Sequence, residues 1–89
     1  MRRPNVEWIT TADDRILEIM GETNLQLSPK ILAAETPYHK KHIQKRLRVL
    51  LLAGLVSKEG KGLYRITDLG RRYLTGEATT DEIPDPNIE

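Results

Sequence analysis

The stretch TPYHKKHIQKRLRVLLLAGLV, residues 36–56, decides the fold because its first half is strongly cationic and its second half is almost wholly apolar. At the helical period, one side of this segment forms an apolar stripe consisting of Ile43, Leu47, Leu50 and Leu51. The charged side chains lie on the other side, with Gln44 at the border: Lys41, Lys45 and Arg48. The pattern therefore predicts a helix that is anchored by one side and presents a cationic side to solvent.

The net charge of +1 hides an uneven distribution along the chain. Residues 1–37 carry four basic and six acidic side chains, whereas residues 38–72 carry ten basic and only two acidic ones. Residues 73–89 carry five acidic side chains and no basic ones. A basic block of this density is typical of a surface that faces a polyanion, although a solvated surface would give the same count.

Helix start signals divide the first half of the chain. Thr10 or Thr11 offers an N-cap for a first helix at about residues 11–21, with Gly21 near its end. A short strand at residues 25–27 precedes Ser28–Pro29, which predicts a second helix at residues 29–35 with three buried candidates, Ile31, Leu32 and Ala34. Thr36–Pro37 repeats this signal and predicts the start of the third helix, at about residues 38–53.

The second half predicts a hairpin and a final helix. Two β-prone runs flank Gly60–Lys61–Gly62, and Thr67 caps a helix at about residues 68–74. The sequence thus predicts an N-terminal arm at residues 1–9, a folded domain at residues 10–76 and an acidic flexible tail at residues 77–89. The predicted class is α+β: a three-helix core, a two-stranded hairpin and a C-terminal helix.

Composition narrows the functional classes. The 89 residues suffice for one domain, and the chain contains no cysteine for disulfides or thiolate metal sites. No apolar run approaches the ~20 residues of a membrane helix, and the N-terminus lacks the apolar core of a signal peptide, so we expect a cytoplasmic protein. His39 and His42 have the spacing of a metal pair, but the neighbouring lysines oppose a cation. We expect no metal, no cofactor, no small-molecule substrate and no enzymatic activity.

Four segments carry a resemblance to a known family: ADDRILE (12–18), LSPKILA (27–33), RLRVLLLAGLV (46–56) and YRITDLGRRYLTGE (64–77). Across about residues 5–76 the sequence resembles the winged helix-turn-helix transcription regulators, and most closely the small archaeal group related to halophage repressors. One departure is that Pro37 and His39 stand where such proteins often have Gly and then Ser.

The resemblance implies a recognition helix that enters the major groove of double-stranded DNA, and a hairpin wing at residues 55–66 that contacts the backbone or the minor groove. On the recognition helix it implies contacts from Tyr38, His39, Lys40, Lys41, Gln44, Lys45 and Arg48. On the wing the candidates are Lys58, Lys61, Tyr64 and Arg65. Gln44 is the candidate for reading a base edge, because an amide can bond to adenine through two hydrogen bonds.

Several alternatives remain open at this stage. Arg46 flanks the apolar stripe and is a candidate either for DNA or for an acidic residue of the first helix, while Arg71 and Arg72 either follow the wing onto DNA or balance a helix dipole. Arg2 and Arg3 could reach a neighbouring groove, and Trp8 is interpreted as a hydrophobic cover or dimer contact. The expected function is a sequence-specific, DNA-binding transcriptional regulator that is repressor-like, homodimeric and nucleoid-associated. The alternatives are a protein–protein interaction module and a nonspecific architectural DNA binder.

Overall fold

The structure is a computed structural model that describes residues 3–23 and 25–86. Within these residues the elements are α1 (Thr11–Thr23), α2 (Pro29–Ala34), α3 (Lys40–Leu52), β1 (Val56–Glu59), β2 (Leu63–Ile66), α4 (Asp68–Thr75) and a 3₁₀ turn (Thr80–Glu82). This order agrees with the predicted α+β arrangement of three helices, a hairpin and a final helix. None of the helices in the described ranges is long and apolar enough to cross a bilayer.

Two of the predicted helix starts are confirmed by their caps. The hydroxyl of Ser28 accepts a hydrogen bond from the backbone N–H of Ile31 at 3.2 Å, and Pro29 occupies the first helical position of α2. The hydroxyl of Thr67 accepts from the N–H of Gly70 at 3.1 Å and opens α4 in the same way. In both helices a side-chain oxygen satisfies a backbone donor that has no partner within the helix.

The first helix begins as predicted but extends further. Thr10 and Asp13 form a reciprocal cap: the N–H of Asp13 donates to the Thr10 hydroxyl at 3.3 Å, and the N–H of Thr10 donates to the Asp13 carboxylate at 3.0 Å. Gly21, which was expected near the end, lies inside α1, since the helix continues to Thr23.

The predicted start of the third helix is wrong. Thr36–Pro37 does not open α3, which begins at Lys40. The hydroxyl of Thr36 instead donates to the carbonyl of Leu32 at 2.9 Å, so it closes the preceding helix. Tyr38 and His39 therefore precede the third helix, contrary to the predicted range of 38–53.

The core is formed where α3 packs against α1 and α2. Ile43, Leu47 and Leu50 have no exposed surface, which confirms three of the four positions of the predicted stripe. Their fully buried neighbours on the other two helices are Ile16, Leu17, Met20 and Leu32. Burying a side chain of this size stabilises the fold by about 1.5–3 kcal/mol.

Three apolar positions differ from the prediction. Leu51 is only half-buried, because it lies at the edge of the apolar stripe and packs against the core with one side only. Ile31 and Ala34 are exposed, since the short α2 buries a single side chain, that of Leu32.

The hairpin has the predicted turn. Val56 pairs with Ile66 and Lys58 with Tyr64 in an antiparallel register, and Gly60 and Gly62 adopt positive φ angles of 60° and 73°. The predicted strand at residues 25–27 is reduced to a single bridge, in which Leu27 and Tyr64 exchange two backbone hydrogen bonds of 2.8 Å. This bridge fixes the hairpin to the segment that precedes α2.

The N-terminal segment packs against the domain and is not an extended arm. Val6, Trp8 and Ile9 are partly buried against the core, and Arg3 donates to the Glu18 carboxylate at 2.8 Å. This ion pair directs Arg3 towards α1, so the suggestion that it reaches a DNA groove is not supported. The same suggestion named Arg2, which lies outside the described residues.

Part of the segment that was expected to be flexible is also packed. Ala78 and Ile83 are 3% and 5% exposed and belong to the core. These two buried apolar side chains hold the segment against the domain. Arg72 donates to Glu82 at 2.7 Å, and this hydrogen bond lowers the pKa of the Glu82 carboxyl from its usual value. Residues 87–89 of the predicted tail lie outside the described residues.

The last helix is joined to the first by a partly buried polar contact. The hydroxyl of Tyr73 donates to the carboxylate of Asp14. Burial, together with this hydrogen bond, raises the pKa of the Tyr73 phenol above its usual value. Above a pH of about 10, where tyrosine ionises in unfolded chains, this contact therefore begins to lose its contribution to stability.

Close packing at Gly70 leads to a prediction about stability. A Cβ atom there would lie 2.4 Å from the carbonyl oxygen of Leu55 and 2.7 Å from Cγ1 of Ile66. We expect Gly70→Ala to lower the free energy of unfolding by about 1–3 kcal/mol, as measured by urea denaturation.

Gly21→Ala is the matched control, since it adds the same methyl group inside another helix. Its Cβ would lie 3.0 Å from Cδ1 of Leu74 and 3.9 Å from Cδ1 of Ile66, and both atoms are ends of side chains that can shift by a rotation. Alanine also favours a helix over glycine by up to about 1 kcal/mol, so we expect little change or a gain in stability. Equal losses in the two variants would contradict the packing described for α4.

Candidate nucleic-acid interface

The outer side of α3 carries its polar side chains in two parallel rows. Lys40, Gln44 and Arg48 follow one another at four-residue spacing, which places them on one face of the helix. Lys41 and Lys45 form the neighbouring row. All five side chains are exposed, so burial of the apolar stripe turns both rows towards solvent.

The row formed by Lys40, Gln44 and Arg48 borders a cleft of about 600 Å³ between α2, α3 and the hairpin. The residues around this cleft are Ser28, Pro29, Lys30, Lys40, Gln44, Arg48, Leu51, Lys58, Gly62 and Tyr64. The lining includes four cationic side chains and no carboxylate. An anionic backbone would therefore meet a positive surface on three sides, with the amide of Gln44 among the cations.

The leading end of α3 uses its first side chains for structure. His39 is the N-cap, and its Nδ1 accepts a hydrogen bond from the N–H of Lys41 at 3.2 Å. The ring of Tyr38 lies 5.6 Å from the ring of His42, centroid to centroid, and Tyr38 is half-buried. These contacts fix the entry into the helix, so Tyr38 and His39 are less available to a ligand than the exposed lysines that follow.

The hairpin divides its cations between its two faces. Lys58 and Tyr64 are directly paired, and the Nζ atom of Lys58 lies 5.9 Å from the centre of the Tyr64 ring. Arg65 pairs with Ser57 and points to the opposite face, because neighbouring residues of a strand alternate. The structure thus brings Lys58 and Tyr64 to the cleft, with Lys61 exposed at the turn, and directs Arg65 elsewhere.

Lys30 is a candidate that the sequence did not identify. It is exposed at the start of α2 and lines the same cleft as Gln44. In the sequence Lys30 belongs to residues 1–37, which are net acidic, so the charge distribution did not indicate that it joins the basic surface. The signal that could have found it is the Ser28–Pro29 helix start, because this start fixes where the first turn of α2 lies.

Three arginines of the basic block bind other parts of the protein. Arg46 forms an ion pair with Asp13 of α1, which resolves its two alternatives in favour of the internal one. Arg72 binds Asp68 and Glu82, and Arg71 donates to the carbonyl oxygen of Gly21 at 3.3 Å. The basic block therefore presents fewer cations to a ligand than its sequence suggests.

The described residues hold no group of three or more His, Cys, Asp or Glu side chains that could bind a metal ion. His39 and His42, which have metal-pair spacing, are engaged in the helix cap and in the contact with Tyr38. The chemistry available at this surface is therefore that of ammonium, guanidinium and amide groups, which form hydrogen bonds with anions and with base edges.

Known proteins resemble this chain over most of its length. The family model of the winged helix-turn-helix phage repressor matches residues 1–85. The repressor protein of Halobacterium phage phiH is 38% identical over 82 residues, which cover 88% of this chain and 92% of that protein.

A solved structure resembles the fold over most of its length. The crystal structure of the PhiH1 repressor-like protein from Haloarcula marismortui matches with a TM-score of 0.80 and 38% identity. The match covers 86% of this chain and 89% of that one. The resemblance to halophage repressors inferred from sequence is thereby confirmed, and so is the winged helix-turn-helix fold.

The cap at His39 leads to a prediction about the start of α3. We expect His39→Ala to lower the free energy of unfolding by about 1 kcal/mol, because the N–H of Lys41 loses its partner. His39→Asn should retain most of the stability, since an amide oxygen can accept the same hydrogen bond. Urea denaturation of both variants measures the difference. Equal losses would show that the hydrogen bond accepted from the N–H of Lys41 is not the source of the stability.

Proposed function

The chain belongs to the winged helix-turn-helix phage repressor family, whose members are DNA-binding regulators and not enzymes, and from that premise we propose that it is a sequence-specific repressor that binds double-stranded DNA as a homodimer. The observation that carries the proposal is the cationic cleft, in which Gln44 lies between Lys40 and Arg48 on α3 and Lys58 of the wing is part of the same lining. In this position a base-reading amide is surrounded by groups that bind phosphates.

In the proposed complex α3 is the recognition helix. Its 13 residues span roughly 20 Å, and the major groove of DNA, about 12 Å wide, admits one helix. Gln44 would bond to a base edge, and Arg48 to a guanine or a phosphate. Lys41 and Lys45, in the outer row, would bind phosphates on either side and so fix the position of the helix on the duplex.

The wing and α2 would hold the DNA backbone. Lys58 and Lys61 are exposed on the hairpin, and Lys30 supplies a further cation from α2. The bridge between Leu27 and Tyr64 supports this arrangement, because it joins the hairpin to the start of α2. Arg65 would contact only a phosphate beyond the cleft. Tyr38 and His39 would act mainly through the conformation of the helix start.

The proposal of a dimer rests on size and geometry. A small domain buries a limited core, and two copies would read two half-sites about one DNA turn, roughly 34 Å, apart. Repression would follow from occlusion of the bound DNA, as the name of the phiH repressor protein suggests. We expect such a protein to act in the cytoplasm at the nucleoid.

Selection from a pool of randomised duplexes, near physiological salt, tests this function. We expect a two-fold-symmetric motif with half-sites about 10 base pairs apart. If a dimer neutralises about eight phosphates, the logarithm of affinity should fall with the logarithm of salt concentration at a slope of roughly −7. Binding without an enriched motif would support an architectural DNA binder, and the absence of binding would support a protein–protein interaction module.

Two neighbouring substitutions on α3 test the separate roles of its two rows. We expect Gln44→Ala to weaken discrimination at one base pair by about 1–3 kcal/mol, because it removes a contact to a base edge. Lys45→Ala should instead weaken binding to all sequences equally and make the salt slope shallower by about 2, because each protomer of the proposed dimer loses one phosphate contact. Fluorescence anisotropy with the selected duplex and its single-base variants measures both effects.

The matched control is Arg15→Ala, which removes an exposed cation from α1. It should change neither the base preference nor the salt slope. If Gln44→Ala weakened binding to every duplex equally, the assignment of Gln44 as the base-reading residue would be wrong.

A further inference from the structure

A buried ion pair joins the middle of α3 to the beginning of α1. Nε of Arg46 donates to Oδ1 of Asp13 at 2.7 Å, and Nη2 donates to Oδ2 at 2.6 Å. The Asp13 side chain is 0% exposed and that of Arg46 is 14% exposed. Arg46 also donates to the backbone carbonyl of Trp8 at 3.3 Å, so one guanidinium binds both α1 and the segment that precedes it.

Both partners are held in place by other contacts. Asp13 belongs to the cap of α1, since its carboxylate also accepts from the N–H of Thr10. Along α3, Arg46 follows Lys45, which is exposed, and precedes Leu47, which is buried, so it stands at the border between the surface and the core. The hydrogen bonds to Asp13 raise the pKa of the Arg46 guanidinium above its usual value.

We propose that Arg46 is a positioning residue for DNA recognition: its ion pair with Asp13 sets the rotation of α3, and thereby the direction in which Gln44 and Arg48 point. The inference rests on the proposed function, because the ion pair is assigned the role of orienting the row of Lys40, Gln44 and Arg48 towards DNA.

The physical reason is that the other contacts of α3 do not fix its rotation sharply. Its core contacts are apolar and therefore non-directional, whereas a planar guanidinium binds a carboxylate in one orientation. A rotation of 20° about the helix axis would move a side chain about 5–6 Å from the axis by about 2 Å. A displacement of this size breaks a two-bond contact to a base edge and still leaves flexible lysines within reach of phosphates.

Stability alone is a poor explanation for the pair. Desolvation of two charges offsets most of their attraction, and replacing a buried ion pair by apolar side chains often leaves stability unchanged or improves it. What such a replacement removes is the directional contact that orients α3. We therefore expect loss of the pair to affect sequence discrimination more strongly than affinity for DNA in general.

The test compares the wild-type protein with Asp13→Asn/Arg46→Met, which keeps the net charge and an acceptor for the N–H of Thr10. Arg46→Lys is the second variant, because it keeps the charge and loses the planar two-bond geometry. Arg15→Met is the control, since it removes an arginine whose ion pair with Glu18 is exposed. Circular dichroism establishes that each variant is folded.

Two quantities are measured: the ratio of affinities for the selected and a scrambled duplex, and the angle of rotation of α3 about its own axis relative to α1, from residual dipolar couplings without DNA. For the double variant we expect at least a tenfold lower ratio, less than a twofold change in affinity for the scrambled duplex, and a changed angle. Arg46→Lys should lie between the double variant and the wild type, and Arg15→Met should match the wild type.

A folded double variant with the wild-type angle and the wild-type ratio would overturn the proposal. If the double variant does not fold, Arg46→Lys decides by the same two measurements. A wild-type protein that does not discriminate between the duplexes would contradict the proposed function. In that case the angle alone decides whether the ion pair positions α3.

Discussion

Burial of one side of α3 is the constraint on which the rest of the structure depends. Ile43, Leu47 and Leu50 have no exposed surface, and they pack against α1 and α2. A shift of α3 by one residue would rotate them by about 100° and bring polar side chains into the core. The cationic rows face solvent because the apolar stripe cannot. The surface available to a ligand is thus a consequence of how the core is packed.

Local signals in the sequence predicted those parts of the fold that depend on neighbouring residues. Ser28–Pro29 and Thr67 cap their helices as expected, since a cap needs only an oxygen and an N–H three residues later. Thr36–Pro37 carries the same signal, but its hydroxyl donates to the carbonyl of Leu32 behind it and accepts from the N–H of Tyr38, only two residues ahead. The sequence does not tell whether a threonine caps the helix that follows or closes the one that precedes it.

Contacts between distant residues were beyond such reasoning. Arg46 was recognised as a candidate for DNA or for an acid, but only the packing of α3 on α1 brings it to Asp13, 33 residues away. Composition suggested a flexible C-terminal segment, yet Ala78 and Ile83 are buried in the core. The cleft of the candidate site could not be predicted as a unit either, because Lys30 joins it only through the placement of α2.

The two kinds of cation are used differently in the described part of the chain. None of its lysines forms an ion pair, whereas these arginines do: Arg3, Arg15, Arg46 and Arg72. A planar guanidinium suits a fixed carboxylate, and a hydrated ammonium on a flexible stem suits a phosphate whose position varies. Lysine contacts give affinity with little sequence information. On the proposed interface, sequence discrimination therefore falls to Gln44 and Arg48, whose directional hydrogen bonds depend on the rotation of α3. Under this proposal, an arginine inside the protein governs which sequence is read, while the lysines outside govern how tightly DNA is held.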